Sequence, residues 1–196
     1  MCIRDRKKGV YGVLANLISV DKNYETAIEM CLGQSLQNIV TETEEEAKKL
    51  INYLRDNNLG RASFLPISSI KGKKVENIKQ KGLQGVIGIA SDLINCDKKY
   101  MQIVLNLLGR TVVVDDMDTG IALAKMNNYS FRIITLKGDV INSSGSITGG
   151  SVATKTVNIL GRNREIEELE KELKKLTQRT KAVSYTHLRA HETPEH

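Results

Sequence analysis

Residues Gly138–Gly150 read Gly-Asp-Val-Ile-Asn-Ser-Ser-Gly-Ser-Ile-Thr-Gly-Gly and lie between the β-rich run Arg132–Leu136 and a charged helical tail. Glycine is common where the backbone takes a positive φ, or where another backbone comes very close. Three interpretations of this segment are therefore open. It is a connecting turn or bulge, a phosphate cradle, or a surface on which a second chain packs.

The chain before this segment contains an internal repeat. Six positions of the first copy recur in the second copy at one constant spacing: Gly12, Asp21-Lys22, Tyr24 and Leu32-Gly33 match Gly88, Asp97-Lys98, Tyr100 and Leu108-Gly109. Each copy alternates short strands with helices. A repeat of this kind usually indicates two similar subdomains related by a pseudo-twofold axis. We therefore predict a mixed α/β fold with two pseudo-repeated subdomains.

An acidic cluster, Thr43-Glu44-Glu45-Glu46, marks the start of a helix in the first copy. Its spacing is that of a capping box, and its carboxylates favour the positive end of the helix dipole. This explains the cluster without a metal ion. The predicted elements around it are a strand at Leu36–Thr41, a helix to about Asn57 and a strand at Arg61–Ile67, matched in the second copy by a strand at Thr111–Val114, an acidic helix start at Asp115–Asp118 and a strand at Phe131–Leu136.

The segment Ser68–Gly85 between the two copies is strongly basic. It carries a single glutamate, Glu76, against five lysines: Lys71, Lys73, Lys74, Lys79 and Lys81. Such a run is most often a solvated loop, and the functional alternative is a patch that contacts phosphates. Because no aromatic residues are interleaved, nucleic-acid binding by this patch would be directed at the backbone and would not read bases.

The helical tail carries a regular seam of mostly apolar residues. Steps of three and four connect Ile166, Leu169, Leu173, Leu176, Thr180 and Val183. This is the a/d pattern of a coiled coil, over about three heptads. Because an isolated helix of this length is marginal in water, we predict the start of a longer coiled coil. The basic leader Lys7-Lys8 is then the end of an incoming helix.

Composition limits the classes of function. The chain has 196 residues and a formal net charge of +6, which permits an anionic partner. No apolar run approaches the ~20 residues of a membrane helix, so we expect no membrane partner. Cys2, Cys31 and Cys96 are far apart, which fits a reducing, cytoplasmic compartment, and Cys31 lies in a helical pattern typical of the core.

Both termini differ from the body of the chain. Ser184–His196 contains all three histidines, and Met1–Arg6 precedes the basic leader. The two segments resemble translated sequencing-adapter sequence, so we exclude them from the fold prediction; a genuine disordered tail is the alternative. In either case the tail has no core to hold His187 and His191, and we predict no metal site there.

The glycine-rich segment lacks the residues that a phosphate cradle uses. A P-loop needs Gly-x-x-x-x-Gly-Lys-Ser/Thr, and Gly145–Ser151 has no lysine at that place. The dinucleotide pattern Gly-x-Gly-x-x-Gly is also missing. No histidine precedes His187, and the cysteines lack zinc spacing. We therefore predict no catalytic residue, metal or cofactor in this chain, and an unrecognised carboxylate site is the enzymatic alternative.

At this point the residues resemble a known family. Gly12–Ile67, notably Leu36-Gln-Asn-Ile-Val40 and Gly60-Arg-Ala-Ser-Phe-Leu-Pro66, followed by Gly138–Gly150, is similar to the hinge domain of bacterial structural maintenance of chromosomes (SMC) proteins. The resemblance implies a hinge that dimerises into a ring-like body and is joined to distant ATPase heads by antiparallel coiled coils. The parent protein would act in chromosome condensation and segregation at the nucleoid, and its heads would bind ATP and accessory condensin-type subunits.

The resemblance also implies where a second copy of the chain binds. The family's interface glycines fall on Gly138, Gly145, Gly149 and Gly150. We expect the strand Arg132–Leu136 to present a free edge, with Ile133 and Ile134 in the interface, because pairing between two chains satisfies exposed backbone groups. A homodimer of pseudo-symmetric protomers would use each interface twice and close a ring.

Weak, sequence-independent DNA binding is a further implication. The candidate contacts are the five linker lysines together with Lys155, Arg162 and Arg164 at the coiled-coil junction. The alternative from another class is a stand-alone nucleic-acid-binding domain, with the Lys71–Lys81 loop as its site. An enzyme is the third alternative.

Six segments are predicted along the chain. They are a leader at 1–8, hinge subdomain I at 9–67, a basic linker at 68–85, hinge subdomain II with the glycine-rich dimer segment at 86–155, the outgoing coiled coil at 156–183 and the tail at 184–196.

Overall fold

The computed structural model of the chain describes residues 9–150 and 159–190. Within them, the strands are β1 Val10–Val13, β2 Ile18–Val20, β3 Ile39–Thr41, β4 Phe64–Pro66, β5 Val86–Ile89, β6 Ile94–Cys96, β7 Thr111–Val114, β8 Arg132–Thr135, β9 Val140–Ile141 and β10 Ile147–Thr148. The α-helices are α1 Glu25–Leu32, α2 Glu44–Asp56, α3 Met101–Leu108, α4 Met117–Met126 and α5 Ile159–Ala190.

The internal repeat determines the sheet topology. β1, β3 and β4 form one sheet in that order, and β5, β7 and β8 follow each other in the same way within a larger sheet. In both copies the first pair is antiparallel and the second is parallel. The antiparallel pairs even share an irregularity in register, between Val10 and Gly12 and between Val86 and Gly88. The predicted mixed α/β fold with two pseudo-repeated halves is confirmed.

The two copies share one core. β2 and β6 pair antiparallel, which joins the copies through the backbone. One cluster of buried side chains draws on both, including Leu14 and Ile28 from the first copy and Ile103 and Leu108 from the second. Met1–Leu160 accordingly forms one compact unit, and Gly161–His196 forms another. The repeated halves are therefore parts of a single folded body.

The start of helix α2 has the cap that the sequence predicts. Thr43 Oγ1 accepts a hydrogen bond from the Glu46 backbone N–H at 3.3 Å, as the capping box predicts. The Glu46 carboxylate accepts from Lys49 Nζ at 2.9 Å. The strand predicted at Leu36–Thr41 is shorter than expected, because Gly33–Gln37 forms a 3-10 helix and the strand is limited to β3.

The second copy contains two strands that the first copy lacks among the described residues. β9 and β10 extend the larger sheet to the order β10-β9-β8-β7-β5. A second core cluster forms on this sheet from Val112, Val114, Leu123, Ala124, Phe131, Ile133 and Ile141. This extension makes the two halves unequal at the outer edges of their sheets.

Helix α5 contains the predicted coiled-coil seam. Ile166, Leu169, Leu173 and Leu176 are 54–67% exposed, so the helix presents a continuous apolar face. Its backbone remains helical to Ala190, beyond the end predicted at Val183. Met1–Arg6, the Lys7-Lys8 end of the predicted incoming helix and residues 191–196 of the predicted tail lie outside the described residues. No helix in the described part of the chain is long and apolar enough to cross a membrane.

Candidate interaction surfaces

The first two glycines of Gly138–Gly150 form turns. Thr135 N–H donates to the Asp139 carbonyl, and Gly138 N–H donates to the Thr135 carbonyl, both at 2.9 Å, which closes a three-residue hairpin between β8 and β9. The same two bonds recur around Gly145 between β9 and β10. Both glycines occupy the third loop position with φ of +93° and +85°. That position favours glycine, so the turn interpretation applies to both.

The last two glycines pack against Asp139 of the same chain. Gly150 N–H donates to Asp139 Oδ1 at 3.3 Å, and a Cβ added at Gly149 would collide with the Asp139 carboxylate. The other carboxylate oxygen accepts from Thr135 Oγ1 at 3.0 Å. Asp139 therefore ties the end of β10 to the β8–β9 hairpin. The contact with Asp139 therefore requires a glycine at position 149, independently of any contact with a second chain.

The prediction that Arg132–Leu136 forms a free strand edge was wrong. β8 pairs with β7 on one side and with β9 on the other. Ile133 and Ile134 are fully buried within the chain, so neither side chain is accessible to a second copy. Sequence reasoning missed β9 and β10 because each has only two residues.

Among the described residues, β10 is the outermost strand at this edge of the larger sheet. Asn142 N–H donates to the Ser146 carbonyl, so by strand alternation the backbone groups of Ile147 point away from β9. The Ile147 side chain is 54% exposed. An exposed β-branched residue on an open strand is a feature of edges that pair with another chain.

A second open edge lies on β4, the counterpart of β8 in the first copy. Ile39 N–H donates to the Ser63 carbonyl, and Ile67 N–H donates to the Thr41 carbonyl. By alternation, the backbone of Phe64 points away from β3. β4 has no other strand neighbour among the described residues. Pro66 lies in this strand, and proline is confined to edge strands or bulges.

The basic linker is not a solvated loop, because its backbone is held on two helices. We call Lys71–Leu83 the strap. Val75 N–H donates to the Gly109 carbonyl at 2.8 Å at the end of α3. Lys79 N–H donates to Asn127 Oδ1, and Asn127 Nδ2 donates to the Lys79 carbonyl, both at 2.9 Å. Val75, Ile78 and Leu83 of the strap pack against the second core cluster.

Docking of the backbone directs the lysines of the strap outward. All five lysine side chains are exposed: Lys71, Lys73, Lys74, Lys79 and Lys81. Lys74 Nζ forms an ion pair with Asp92 at 2.7 Å, which occupies one of the five charges. On α5, Arg164 pairs with Glu168 at 3.2 Å and Arg162 is exposed. Lys155 lies outside the described residues.

The first residue of α5 is held by the globular unit. Ile159 N–H donates to Glu29 Oε1 at 2.8 Å, and Leu160 is buried in the shared core. Burial raises the pKa of the Glu29 carboxyl; the Ile159 hydrogen bond opposes this rise, and the nearby Glu25 charge adds to it. The carboxylate of α1 thus satisfies a backbone donor in the first turn of α5. Sequence reasoning did not predict this contact.

The described residues contain no group of three or more histidine, cysteine or acidic side chains that could hold a metal ion. Cys31 lies at the edge of the shared core, and burial raises the pKa of its thiol to about 12, which keeps it in the unreactive thiol form.

Comparison with known proteins agrees with this architecture. A family model described as "SMC proteins Flexible Hinge Domain" matches residues 7–124 of the chain. The chain belongs to the SMC hinge family. The hinge is 46% identical over 157 residues to the chromosome partition protein Smc of Clostridium kluyveri, covering 80% of this chain and 13% of that protein. It is 39% identical over 180 residues to Smc of Bacillus subtilis, covering 90% of this chain and 15% of that protein. The hinge thus spans about one seventh of these relatives.

Solved hinge structures have the same fold. An asymmetric dimer of the Geobacillus stearothermophilus SMC hinge domain matches with a TM-score of 0.79 and 36% identity, covering 96% of this chain and 78% of that chain. The Pyrococcus furiosus Smc hinge domain with an extended coiled coil matches with a TM-score of 0.64 and 34% identity, covering 95% and 68%. The coiled-coil seam of α5 is consistent with the extension named for the latter.

Proposed function

We propose that this chain is the homodimerisation hinge of an SMC chromosome partition protein. The observation that carries the proposal is the unequal coverage of two equivalent strands. β8 is covered by β9, whereas its counterpart β4 has no outer neighbour among the described residues. A strand from a second copy of the chain supplies that neighbour, and the Geobacillus stearothermophilus hinge, which is similar in fold, is a dimer.

The pairing partner for β4 is the β10 edge of the second copy. The outward backbone groups of Ile147 on one chain pair with those of Phe64 on the other. A twofold axis generates the same junction again, so the dimer closes as a ring with two identical junctions. This interface replaces Ile133 and Ile134. Gly138 and Gly145 shape the hairpins that carry β10, and Gly149 and Gly150 lie against Asp139.

Replacement of Ile147 by proline tests the junction. Proline removes the outward N–H at this position and leaves the bonds that Ser146 makes to β9. Because the junction occurs twice, the loss of about 1 kcal/mol at each weakens the dimer by roughly thirtyfold. Sedimentation equilibrium measures the dimer constant. Ile147→Val, which keeps the donor, is the matched control.

Two results would overturn the dimer proposal. The first is a wild-type chain that sediments as a monomer at all concentrations. The second is an Ile147→Pro dimer as tight as that of the control, with both variants folded by circular dichroism. Substitution of Gly149 is a poorer test, because the added side chain collides with Asp139 in the monomer.

We also propose that the strap binds the DNA backbone without sequence preference. The proposal is supported by the hydrogen bonds that hold the backbone of the strap. Because the backbone is held, binding of phosphates costs little conformational entropy of the chain. The exposed lysines available to phosphates are Lys71, Lys73, Lys79 and Lys81. Arg162 and Lys155 remain candidates at the coiled-coil junction. Lys74 is a weaker candidate than predicted, because its Nζ already forms an ion pair with Asp92.

Salt dependence tests the DNA proposal. The double variant Lys71→Gln, Lys73→Gln loses two phosphate contacts. The negative slope of log affinity against log salt concentration should therefore become shallower by about two. The matched control is Lys22→Gln with Lys48→Gln, which changes the same net charge elsewhere on the exposed surface. Equal slopes for the two double variants would remove the strap from the DNA site. Loss of DNA binding in both variants would indicate only an effect of net charge.

The wider role belongs to the parent protein. We propose that the hinge joins long antiparallel coiled coils to ATPase heads, and that the whole protein acts in chromosome condensation and segregation at the cytoplasmic nucleoid. ATP and accessory subunits would bind at the heads, and no catalytic step is assigned to this chain. The exposed seam of α5 supports the coiled-coil part of this proposal.

A further inference from the structure

Arg110 lies just after helix α3, beside the strap. Gly109, the residue before it, is buried against the strap: its carbonyl accepts from Val75 N–H at 2.8 Å, and a Cβ added at Gly109 would collide with the Lys73 carbonyl oxygen. Glycine permits this close approach of two backbones. Arg110 is therefore joined directly to a fixed contact with the backbone of Lys73.

The side chain of Arg110 reaches the second place where the strap is held. Its Nη2 donates to the Ser130 carbonyl at 3.0 Å. Ser130 N–H donates in turn to the Asn127 carbonyl at 3.1 Å, and the Asn127 side chain binds both backbone groups of Lys79. One series of contacts therefore connects Lys73 with Lys79 through Arg110.

The bond to Ser130 holds the guanidinium of Arg110 without compensating its charge. The residue is exposed, and the acceptor of the bond is a neutral carbonyl. The bond occupies one N–H donor of a group that has several. A guanidinium binds phosphate with two parallel N–H···O bonds, which a lysine ammonium cannot do. Arg110 thus has the charge and the donor geometry of a phosphate ligand.

We propose that Arg110 is a phosphate-binding residue of the strap surface, between the pair Lys71 and Lys73 and the pair Lys79 and Lys81. The inference rests on the proposed binding of the DNA backbone by the strap, and it adds a contact from outside the strap. The lysines attract the row of phosphates by charge, and Arg110 binds one phosphate by paired hydrogen bonds. Sequence analysis missed Arg110 because it is a single arginine outside the basic segment.

Fluorescence anisotropy of a labelled DNA duplex of mixed sequence, titrated with the full chain at several salt concentrations, tests the inference. In Arg110→Gln, the negative slope of log affinity against log salt concentration should become shallower by about one, because one phosphate contact is lost. Binding at low salt should be about tenfold weaker. Arg55→Gln, which removes the same charge from an exposed position on α2, is the matched control and should keep the wild-type slope.

Arg110→Lys separates the charge from the paired hydrogen bonds. This variant keeps the positive charge, so the salt slope should remain that of wild type, while the affinity should fall several-fold because the bidentate geometry is lost. Urea unfolding of each variant measures stability separately. If the bond to Ser130 were only structural, Arg110→Gln would lower the urea midpoint and leave the salt slope unchanged.

Three results would overturn the inference. A wild-type chain that does not bind the duplex would remove both Arg110 and the strap from the DNA site. An unchanged slope in Arg110→Gln, while the Lys71→Gln, Lys73→Gln variant has a shallower slope, would remove Arg110 alone. Equally shallow slopes in Arg110→Gln and Arg55→Gln would show only an effect of net charge.

Discussion

Ser19 lies directly opposite Asn95 in the antiparallel pair β2–β6, and the two residues hold the same position in the two copies of the repeat. The spacing that relates Gly12 to Gly88 also relates Ser19 to Asn95. The flanking pairs, Ile18 with Cys96 and Val20 with Ile94, exchange when the copies are exchanged. A local pseudo-twofold axis therefore passes between Ser19 and Asn95, and each copy completes the core of the other.

This shared core predicts a single unfolding transition. Ile18 and Ile94 are repeat counterparts, and both are buried in the shared cluster. Ile18→Ala and Ile94→Ala should each lower the free energy of unfolding by about 2–5 kcal/mol, by loss of apolar burial and creation of a cavity. Urea unfolding followed by circular dichroism should shift as one transition in both variants. Two separated transitions in either variant would contradict a common core.

The hairpin glycines should respond to substitution as turn residues. Gly138→Ala should cost about 1–2 kcal/mol for the positive φ, and more than Gly145→Ala, because its Cβ would lie 3.0 Å from Met30 Cγ. Gly145→Asn should cost less than Gly145→Ala, because asparagine tolerates left-handed backbone. Thermal unfolding of the three variants measures these losses of stability. Equal losses for Gly138→Ala and Gly145→Ala would contradict the predicted contact with Met30.

Gly145 also separates the turn role from an interface role. A Cβ at Gly145 has no atom within 4 Å in the chain. If Gly145 only shapes the turn, Gly145→Asn should leave the dimer constant unchanged. A tenfold weaker dimer at unchanged stability would show that a second chain packs on this glycine.

Removal of the Asn127 side chain should release the strap. Asn127→Ala deletes two bonds to Lys79 and one to the Leu123 carbonyl, at a cost of about 1–3 kcal/mol. Trypsin should then cleave faster after Lys79 and Lys81, as mass spectrometry of timed digests can measure. Asn57→Ala, the counterpart that holds no strap, is the control and should not change cleavage there.

Glu29 should make stability depend on pH in a defined direction. Burial raises the carboxyl pKa in the folded chain above its unfolded value of about 4.3. The folded state then binds more protons, so the contribution of Glu29 is complete below the unfolded pKa and decreases as pH rises through the raised folded pKa. In Glu29→Gln this decrease should be absent, while the amide oxygen still accepts from Ile159 N–H.

Urea midpoints of wild type and Glu29→Gln between pH 4 and pH 7 provide the measurement. The wild type should lose stability relative to the variant as pH rises, within a window that begins at the unfolded pKa of about 4.3. The charge of the neighbouring Glu25 acts in the same direction. A wild type that gains stability relative to the variant over this range would contradict the raised pKa.

Local chemistry made much of the fold predictable. The Thr43 cap, the α5 seam and the repeated positions such as Tyr24 and Tyr100 each follow from the spacing of residues close in the chain. The paired Asn-Asn ends of α2 and α4 were also visible in the sequence and could have revealed the Asn127 contact. The docking of the strap was not predicted, because its lysines are exposed and conceal the packing of its backbone and of Val75, Ile78 and Leu83.

The candidate interface was harder to locate from sequence. The glycine-rich segment was predicted to lie against a second chain, yet a glycine that serves a turn, a close contact or an interface looks the same in sequence. Gly138 and Gly145 serve turns, and Gly149 lies against Asp139. The free edge belongs to β10 and β4, because the short strand β9 covers β8.

The sequence by itself determined the repeat, the mixed α/β class, the helix caps and the coiled-coil seam, since each depends on periodicity and on neighbours within a few residues. Only the tertiary structure decided which strand edges remain open, which helix end the strap covers and where Glu29 holds Ile159. These features depend on pairs of residues that are distant along the chain and become neighbours only when the two copies pack around a common core.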